Sequence, residues 1–261
     1  MVDQRRESDA MEPDEFARRA AAALGTQLQS VILYGSAAAG DFVPGISNYN
    51  LLMVVEPLGV DQLDRLVDLF RAWCDARRPP PLLFSAKQLA SSLDAFPIEL
   101  LDIRQSRKII WGEDVLARLQ FCPRDLRLQI ERELTGKLLS LRSKYTLTGR
   151  DPVAVRRLML TSHSTFLVLF RAALRLFQDA VPDHKLDALN QLARHLPFNT
   201  APFHELADLK CRWAAANGED RVPDELLATG IVVEFSDYLQ SIEDVIQAVN
   251  RLENPREGNT V

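Results

Sequence analysis

The sequence is poor in the residues that mark specialised classes of protein. Its 261 residues hold three cysteines, Cys74, Cys122 and Cys211, far apart and odd in number. They offer neither the spacing of a zinc site nor a disulfide framework, which suits a reducing cytosol. Positive charge is in deficit: 31 Lys and Arg against 36 Asp and Glu leave a net charge of −5. No global basic field therefore favours nucleic acid as a partner. The stretch MVDQRRESDAMEPDEF is polar and lacks the apolar core of a signal peptide. The most apolar long segment, 158–177, contains His163, Arg171 and Arg175, so it reads as a buried amphipathic helix rather than a membrane span. There is no internal repeat, no low-complexity tract and no Gly-x-Ser-x-Gly elbow of a serine hydrolase. What remains, 47% hydrophobic and 26% charged residues, is ample for a core. These absences predict a soluble cytoplasmic protein of one large or two modest domains, with no membrane partner.

The informative stretch is VILYGSAAAGDFVPGISNYNLLMVVE, residues 31–56. Val31 to Tyr34 is a short apolar run that predicts a buried strand. It breaks at Gly35-Ser36, crosses small residues and reaches the turn-rich Pro44-Gly45-Ile46-Ser47. A second strand follows over 51–55, with Asn48 and Asn50 at its start. Two residues apart on an extended chain, these asparagines point to one face and Tyr49 to the other.

Strand, Gly-Ser, spacer and second strand together resemble the nucleotidyltransferase superfamily, the group that includes DNA polymerase beta and the aminoglycoside nucleotidyltransferases. Its signature is an apolar strand ending in Gly-Ser, a spacer near ten residues, then Asp-apolar-Asp entering the next strand. Here the spacer is residues 37–47, and Ser47 stands where a serine commonly precedes the first aspartate. The departure is at the centre, where both metal-binding aspartates are replaced by Asn48 and Asn50. In the family those carboxylates hold magnesium, which activates a hydroxyl and neutralises the nucleotide's phosphates. An amide oxygen touches such a cation without charge, so two Asp-to-Asn changes imply an eroded metal site. The alternative is that Asn48 and Asn50 simply cap a turn.

The resemblance also implies a third carboxylate on a later strand. The segment FPIELLDIRQSRKIIWG, residues 96–112, reads as a hairpin with strands at 98–103 and 108–111. Glu99 and Asp102 are the candidates, on opposite faces by alternation. Glu99, first in an acid-apolar-apolar-acid run, is favoured, and an ordinary strand-edge charge is the alternative for either. Arg104, Arg107 and Lys108 at the turn are read as solvated, with a phosphate contact as the second reading.

Elsewhere the pattern is helical. Pro13 to Leu24 predicts a helix closed by Gly25, and Asp61 a cap for a helix to about Arg77 with Leu63, Leu66, Val67, Phe70 and Trp73 on one face. Leu82 to Phe84 reads as a third strand, followed by a short helix from Ser85. Beyond Pro123 come helices over 124–145, 152–178, 185–196, 203–217 and 231–252. The first of these carries a basic face of Arg127, Arg132, Lys137, Arg142 and Lys144. His163, downstream of Arg157, also matches an Arg-then-His spacing in helical ribonuclease-like domains that partner minimal nucleotidyltransferases. Against that stands its apolar setting.

The expected fold is an α/β nucleotidyltransferase-like domain with a mixed sheet over 1–120, an all-α helical bundle over 121–254, and a disordered tail over 255–261. Two functions stay open. One is a degenerate family member that binds a nucleoside triphosphate or a protein partner with little or no transfer and needs no cofactor. The other is an active enzyme that uses Mg2+ to move a nucleoside monophosphate to a hydroxyl. Both assign Gly35 and Ser36 to nucleotide binding and Asn48, Asn50 and Glu99 to the catalytic positions.

Overall fold

The structure, a computed structural model, describes residues 11–39, 48–217, 223, 227 and 233–252. The chain divides into two compact units, Met1–Cys122 and Pro123–Val261.

The first unit opens with α1 (Pro13–Leu24). Its proline sits in the first turn, Asp14 and Glu15 lie at the positive end, and Gly25 at φ +58° ends it. Then come β1 (Leu28–Tyr34), a single turn α2 (Ser36–Ala39), β2 (Asn50–Val55), α3 (Val60–Asp75), β3 (Leu82–Phe84), α4 (Ala86–Ser91), α5 (Pro97–Gln105) and β4 (Arg107–Gly112). The strands form one mixed sheet of order β3-β2-β1-β4. β1 runs antiparallel to β2 and β4, while β2 runs parallel to β3.

The central strands are apolar over Val31–Tyr34 and Leu51–Val55 because helices cover both faces. Val31, Leu33, Leu51, Met53 and Val55 pack with Phe16 and Leu24 of α1 and Leu66 and Trp73 of α3. Ile32, Leu52 and Val54 turn the other way, onto Leu89 of α4, Leu100 and Ile103 of α5, and Leu116. A mixed sheet within an α/β unit is thus what the sequence led one to expect.

Two local expectations are corrected. Gly59, not Asp61, caps α3: its N–H donates to the Gln62 side-chain oxygen at 2.9 Å. The inward face of α3 is Gln62, Leu66, Leu69 and Trp73, whereas Leu63 and Val67 are exposed. Both apolar stripes follow helical spacing, so periodicity alone does not say which one meets the core. The second correction concerns the hairpin. Residues 97–105 form a helix, closed by bonds such as Leu100 N–H to the Phe96 carbonyl at 3.1 Å. Pro97 in the first turn, with Glu99 beside the positive end, favours the helix over a strand, and a short apolar run fits either. Only the second half of the expected hairpin, β4, is a strand.

The second unit is all helical among the described residues: α6 (Pro123–Thr146), α7 (Pro152–Leu174), α8 (Lys185–His195), α9 (Ala201–Asn217) and α10 (Phe235–Arg251). Asp151 caps α7, its carboxylate accepting the Val153 and Ala154 N–H groups at 3.0 and 3.3 Å. α7 is long and apolar enough, by length and composition alone, to cross a membrane. Within the unit it packs against each of the other four helices and buries Met159, Leu160, Phe166, Leu167 and Phe170. The expected start of the last helix at 231 and the tail at 255–261 lie outside the described residues.

Candidate functional site

The motif residues come together where β1 ends and β2 begins. Antiparallel pairing sets Tyr34 opposite Asn50 on one side and opposite Arg107 on the other. Directly opposed residues share a face, here the one that holds Ile32, Leu52 and Val54. Gly35 follows with φ +80°, a conformation glycine adopts without strain. A Cβ added at Gly35 would lie 3.2 Å from Asn50 Nδ2, so the amide of Asn50 abuts the glycine. Ser36 is exposed and starts the single turn α2, whose Ala38 and Ala39 N–H groups donate to the Gly35 carbonyl at 3.0 Å.

Gly35 does not hold its own N–H free for a ligand. That group donates to the Ser106 carbonyl at 3.0 Å, tying the glycine to the start of β4. Its contribution at the site is the missing side chain.

Asn48 is exposed and lies outside β2, which starts at Asn50, so strand alternation does not govern its direction. Tyr49 behaves as expected: it packs against the cluster shared with α1 and α3. The Arg78 guanidinium stands 4.8 Å from the Tyr49 ring centre and 4.5 Å from that of Trp73. The spacer residues Asp41, Pro44, Gly45 and Ser47 lie outside the described residues.

Glu99 is exposed in the first turn of α5, with Asp102 half-buried three residues on. A helix gives residues three apart a common side, in place of the opposite faces a strand would impose. Leu100 and Ile103 seat α5 on the sheet face to which Asn50 belongs. The helix that carries Glu99 therefore covers the same side of the sheet as the motif.

Two of the three basic residues at this edge, Arg104 and Arg107, are engaged rather than solvated. Arg107 forms a forked pair with Asp114, with contacts of 2.6 and 3.1 Å. Hydrogen bonding from Arg107 holds the Asp114 carboxyl below its usual range, aided by the Ala117 N–H. Arg104 donates to the Leu119 carbonyl at 3.2 Å and lies 4.7 Å from the Phe121 ring centre. Lys108 is exposed. Nothing in the sequence names Asp114 as the partner of Arg107: one opens β4 and the other follows its end, and they meet only in the folded chain.

Magnesium, which the resemblance implies, does not fit the described residues. No described strand contains an Asp or Glu: β1 is LQSVILY, β2 NLLMVV, β3 LLF and β4 RKIIWG. Among the described residues no group of three or more His, Cys, Asp or Glu gathers closely enough to hold a metal ion. Asn50 brings a neutral amide, and magnesium is a hard cation that takes charged oxygens.

In the second unit, His163 is 4% exposed and its Nε2 lies 2.9 Å from the Phe203 carbonyl, which it serves as donor. The ring faces Phe203 at 5.9 Å between centres. Burial lowers its pKa from 6.5 to about 4, with the Phe203 carbonyl opposing the shift and Lys210, Lys185 and His204 adding to it. A buried, hydrogen-bonded, neutral histidine is built for packing, and its ring is not presented to a substrate as the ribonuclease comparison requires.

A pH dependence follows. The unfolded histidine takes up a proton near pH 6.5 and the folded one only near 4, so acid favours the unfolded chain across that window. Above pH 6.5 there is no penalty; by pH 4 it reaches about 3 kcal/mol. His163→Gln, which keeps a donor for Phe203, is expected to flatten the fall of stability between these values. Chemical denaturation of both proteins at pH 7, 5.5 and 4.5 measures it, and parallel curves would show that His163 is not the titrating group.

The basic face of α6 is partly neutralised. Arg127 pairs with Glu131 at 2.9 Å and Arg142 with Glu243 of α10 at 2.7 Å. Lys137 borders a shallow groove of about 290 Å³ with Ser164, Thr165, Val168 and Leu169. A larger groove of about 580 Å³, lined by Arg18, Ala21, Ala22, Gly25, Thr26, Leu28 and Trp111, lies away from the Gly35–Asn50 junction.

No protein family and no curated protein matches the sequence. Among solved structures, the crystal structure of spectinomycin adenyltransferase AAD(9) from Enterococcus faecialis with ATP and spectinomycin is similar at 14% identity and a TM-score of 0.45, over 90% of this chain and 95% of that one.

Proposed function

We propose that the first unit is a nucleotidyltransferase-type domain with an eroded metal site, which binds a nucleoside triphosphate with little or no transfer. The observation that carries the reading is the junction itself, where the Asn50 amide abuts a side-chain-free glycine and no described strand offers a carboxylate. A carboxylate meets a phosphate only through a bridging cation, because both are anions. An asparagine NH2 group donates to a phosphate oxygen directly. The substitution that removes the metal thus leaves a direct contact for the ligand the metal served. Gly35 gives a phosphate room to approach, and the Ser36 hydroxyl is exposed beside it. The helical unit is the surface on which a protein partner would dock in the same reading.

Calorimetric titration with each of the four common nucleoside triphosphates, with magnesium and with chelator, tests this. Binding of at least one is expected in both conditions. Gly35→Val should abolish it, because the new side chain enters the space against Asn50 and the φ of +80° disfavours valine. A melting curve beside the titration separates lost binding from lost folding, and Asn50→Ala, which leaves the glycine turn intact, should weaken binding at unchanged melting temperature. Failure of every triphosphate to bind, or binding that needs magnesium, would overturn the reading.

A further inference from the structure

The outer surface of α3 carries an apolar seam that the first unit does not use. Val60, Leu63 and Val67 are 70%, 45% and 37% exposed. Their spacing is three then four residues, and the seam stops at Phe70, which packs on Phe16 of α1 at 5.9 Å between ring centres. That alternation is the period of a helix-pairing seam. The face that packs inside is a separate one, built from Gln62, Leu66, Leu69 and Trp73. A lone exposed valine or leucine needs no explanation, but three in register along a helix do.

The flank of the seam says what covers it. Asp64 and Arg71 are exposed on its same side, seven residues apart, with Val67 between them. Among the described residues neither is held by a partner within the chain. A second α3 laid antiparallel, with the two-fold axis beside Val67, sets Val67 against Val67 and brings Asp64 of each copy alongside Arg71 of the other. Parallel pairing about a two-fold axis puts the Asp64–Arg71 flanks of the two copies on opposite sides of the seam, where neither reaches the other. The seam is self-complementary in charge in one sense only.

We propose that α3 is a homodimerisation surface, pairing two copies of this chain antiparallel about Val67. The contact is isologous, so each favourable pair occurs twice. At 16 residues the helix is about 24 Å long. One such pair of helices buries less than a standard interface, so the dimer is expected to be weak, with a dissociation constant of about tens of micromolar. This surface is independent of the nucleotide reading.

Sedimentation equilibrium of the full chain, from about 1 to about 500 µM, spans that range. The parent is expected to pass from monomer to dimer. Val67→Glu should hold it monomeric throughout, and Asp64→Arg should weaken the dimer about tenfold. The double variant Asp64→Arg with Arg71→Asp should restore it, because the pair is only exchanged. These side chains are exposed, so melting curves should coincide with the parent's. A parent that stays monomeric over the whole range overturns the proposal and leaves the seam to another occupant. A dimer indifferent to Val67→Glu, or a double variant no tighter than Asp64→Arg, overturns it as well.

Discussion

Gly112→Ala is expected to cost the first unit more stability than alanine at any other of its described glycines. Gly112 ends β4 with φ +74°, in the left-handed region where an L side chain is strained. The greater obstacle is space. A Cβ there would stand 1.9 Å from the Gln29 carbonyl oxygen and 2.8 Å from its carbonyl carbon. Both are backbone atoms, so no side-chain rotation relieves the clash. Moving Gln29 pulls on the ladder, since Gly112 pairs with Ser30 and the Glu113 N–H donates to the Gln29 carbonyl at 3.2 Å. The Ser30 hydroxyl, donating to the Glu113 carbonyl at 2.7 Å, belongs to the same staple. The strain and the lost pairing together cost about 3–5 kcal/mol. That is a fall of about 6–20 °C in the melting temperature of this unit. By contrast Gly136, with nothing within 4 Å of an added Cβ in the middle of α6, is expected to gain stability as alanine by up to about 1 kcal/mol. Thermal melts of both variants check the contrast; a Gly112→Ala protein that melts with the parent would mean that β1 and β4 do not approach closely at Gln29.

The strands were legible where burial is two-sided, because Val31–Tyr34 and Leu51–Val55 are short apolar runs bounded by turn residues. Helix ends marked by local chemistry were legible too: Pro13 and Gly25 for α1, Ser85 for α4, Asp151 with Pro152 for α7. Where only apolar spacing was available the sequence was ambiguous. On α3 two stripes of similar quality compete, and tertiary packing chooses Leu66 and Trp73 over Leu63 and Val67. At 98–103 a run of mixed apolar and acidic residues has no clear period, and Pro97 was the signal for a helix.

The site was legible in part. Gly35 and Asn50 are separated by fourteen intervening residues, yet the strand–turn–strand pattern was enough to bring them to one end of the sheet. The absence of any carboxylate from the four strands is readable only once residues 97–105, expected to hold Glu99 and Asp102 on a strand, are known to be helical. The engagement of Arg107 by Asp114 and of the Gly35 N–H by the Ser106 carbonyl depends on how chain flanks fold back, which no local pattern encodes.

Labelled nucleotide is expected not to be transferred, above background, to the protein or to a small-molecule pool. In the family that the sequence resembles, transfer depends on carboxylate charge at the two positions held here by Asn48 and Asn50. Each negative charge removed costs several kcal/mol of transition-state stabilisation. About 1.4 kcal/mol is a factor of ten in rate, so two losses predict a depression of several orders of magnitude. Glu99, exposed on α5, is one remaining acid assigned to the site, and Asp41 of the spacer, outside the described residues, is another that stands close in sequence. Asn48→Asp combined with Asn50→Asp should restore charge to an otherwise intact frame and raise magnesium affinity measurably. If the double variant binds magnesium no better than the parent, Glu99 does not face these positions. Robust turnover by the parent that disappears on Glu99→Gln would make the protein an enzyme with an unusual metal site. Turnover that survives Glu99→Gln but is lost on Asp41→Asn would assign the missing charge to the spacer, and in either case the eroded-site reading fails while the junction of Gly35 with Asn50 still has to bind the nucleotide.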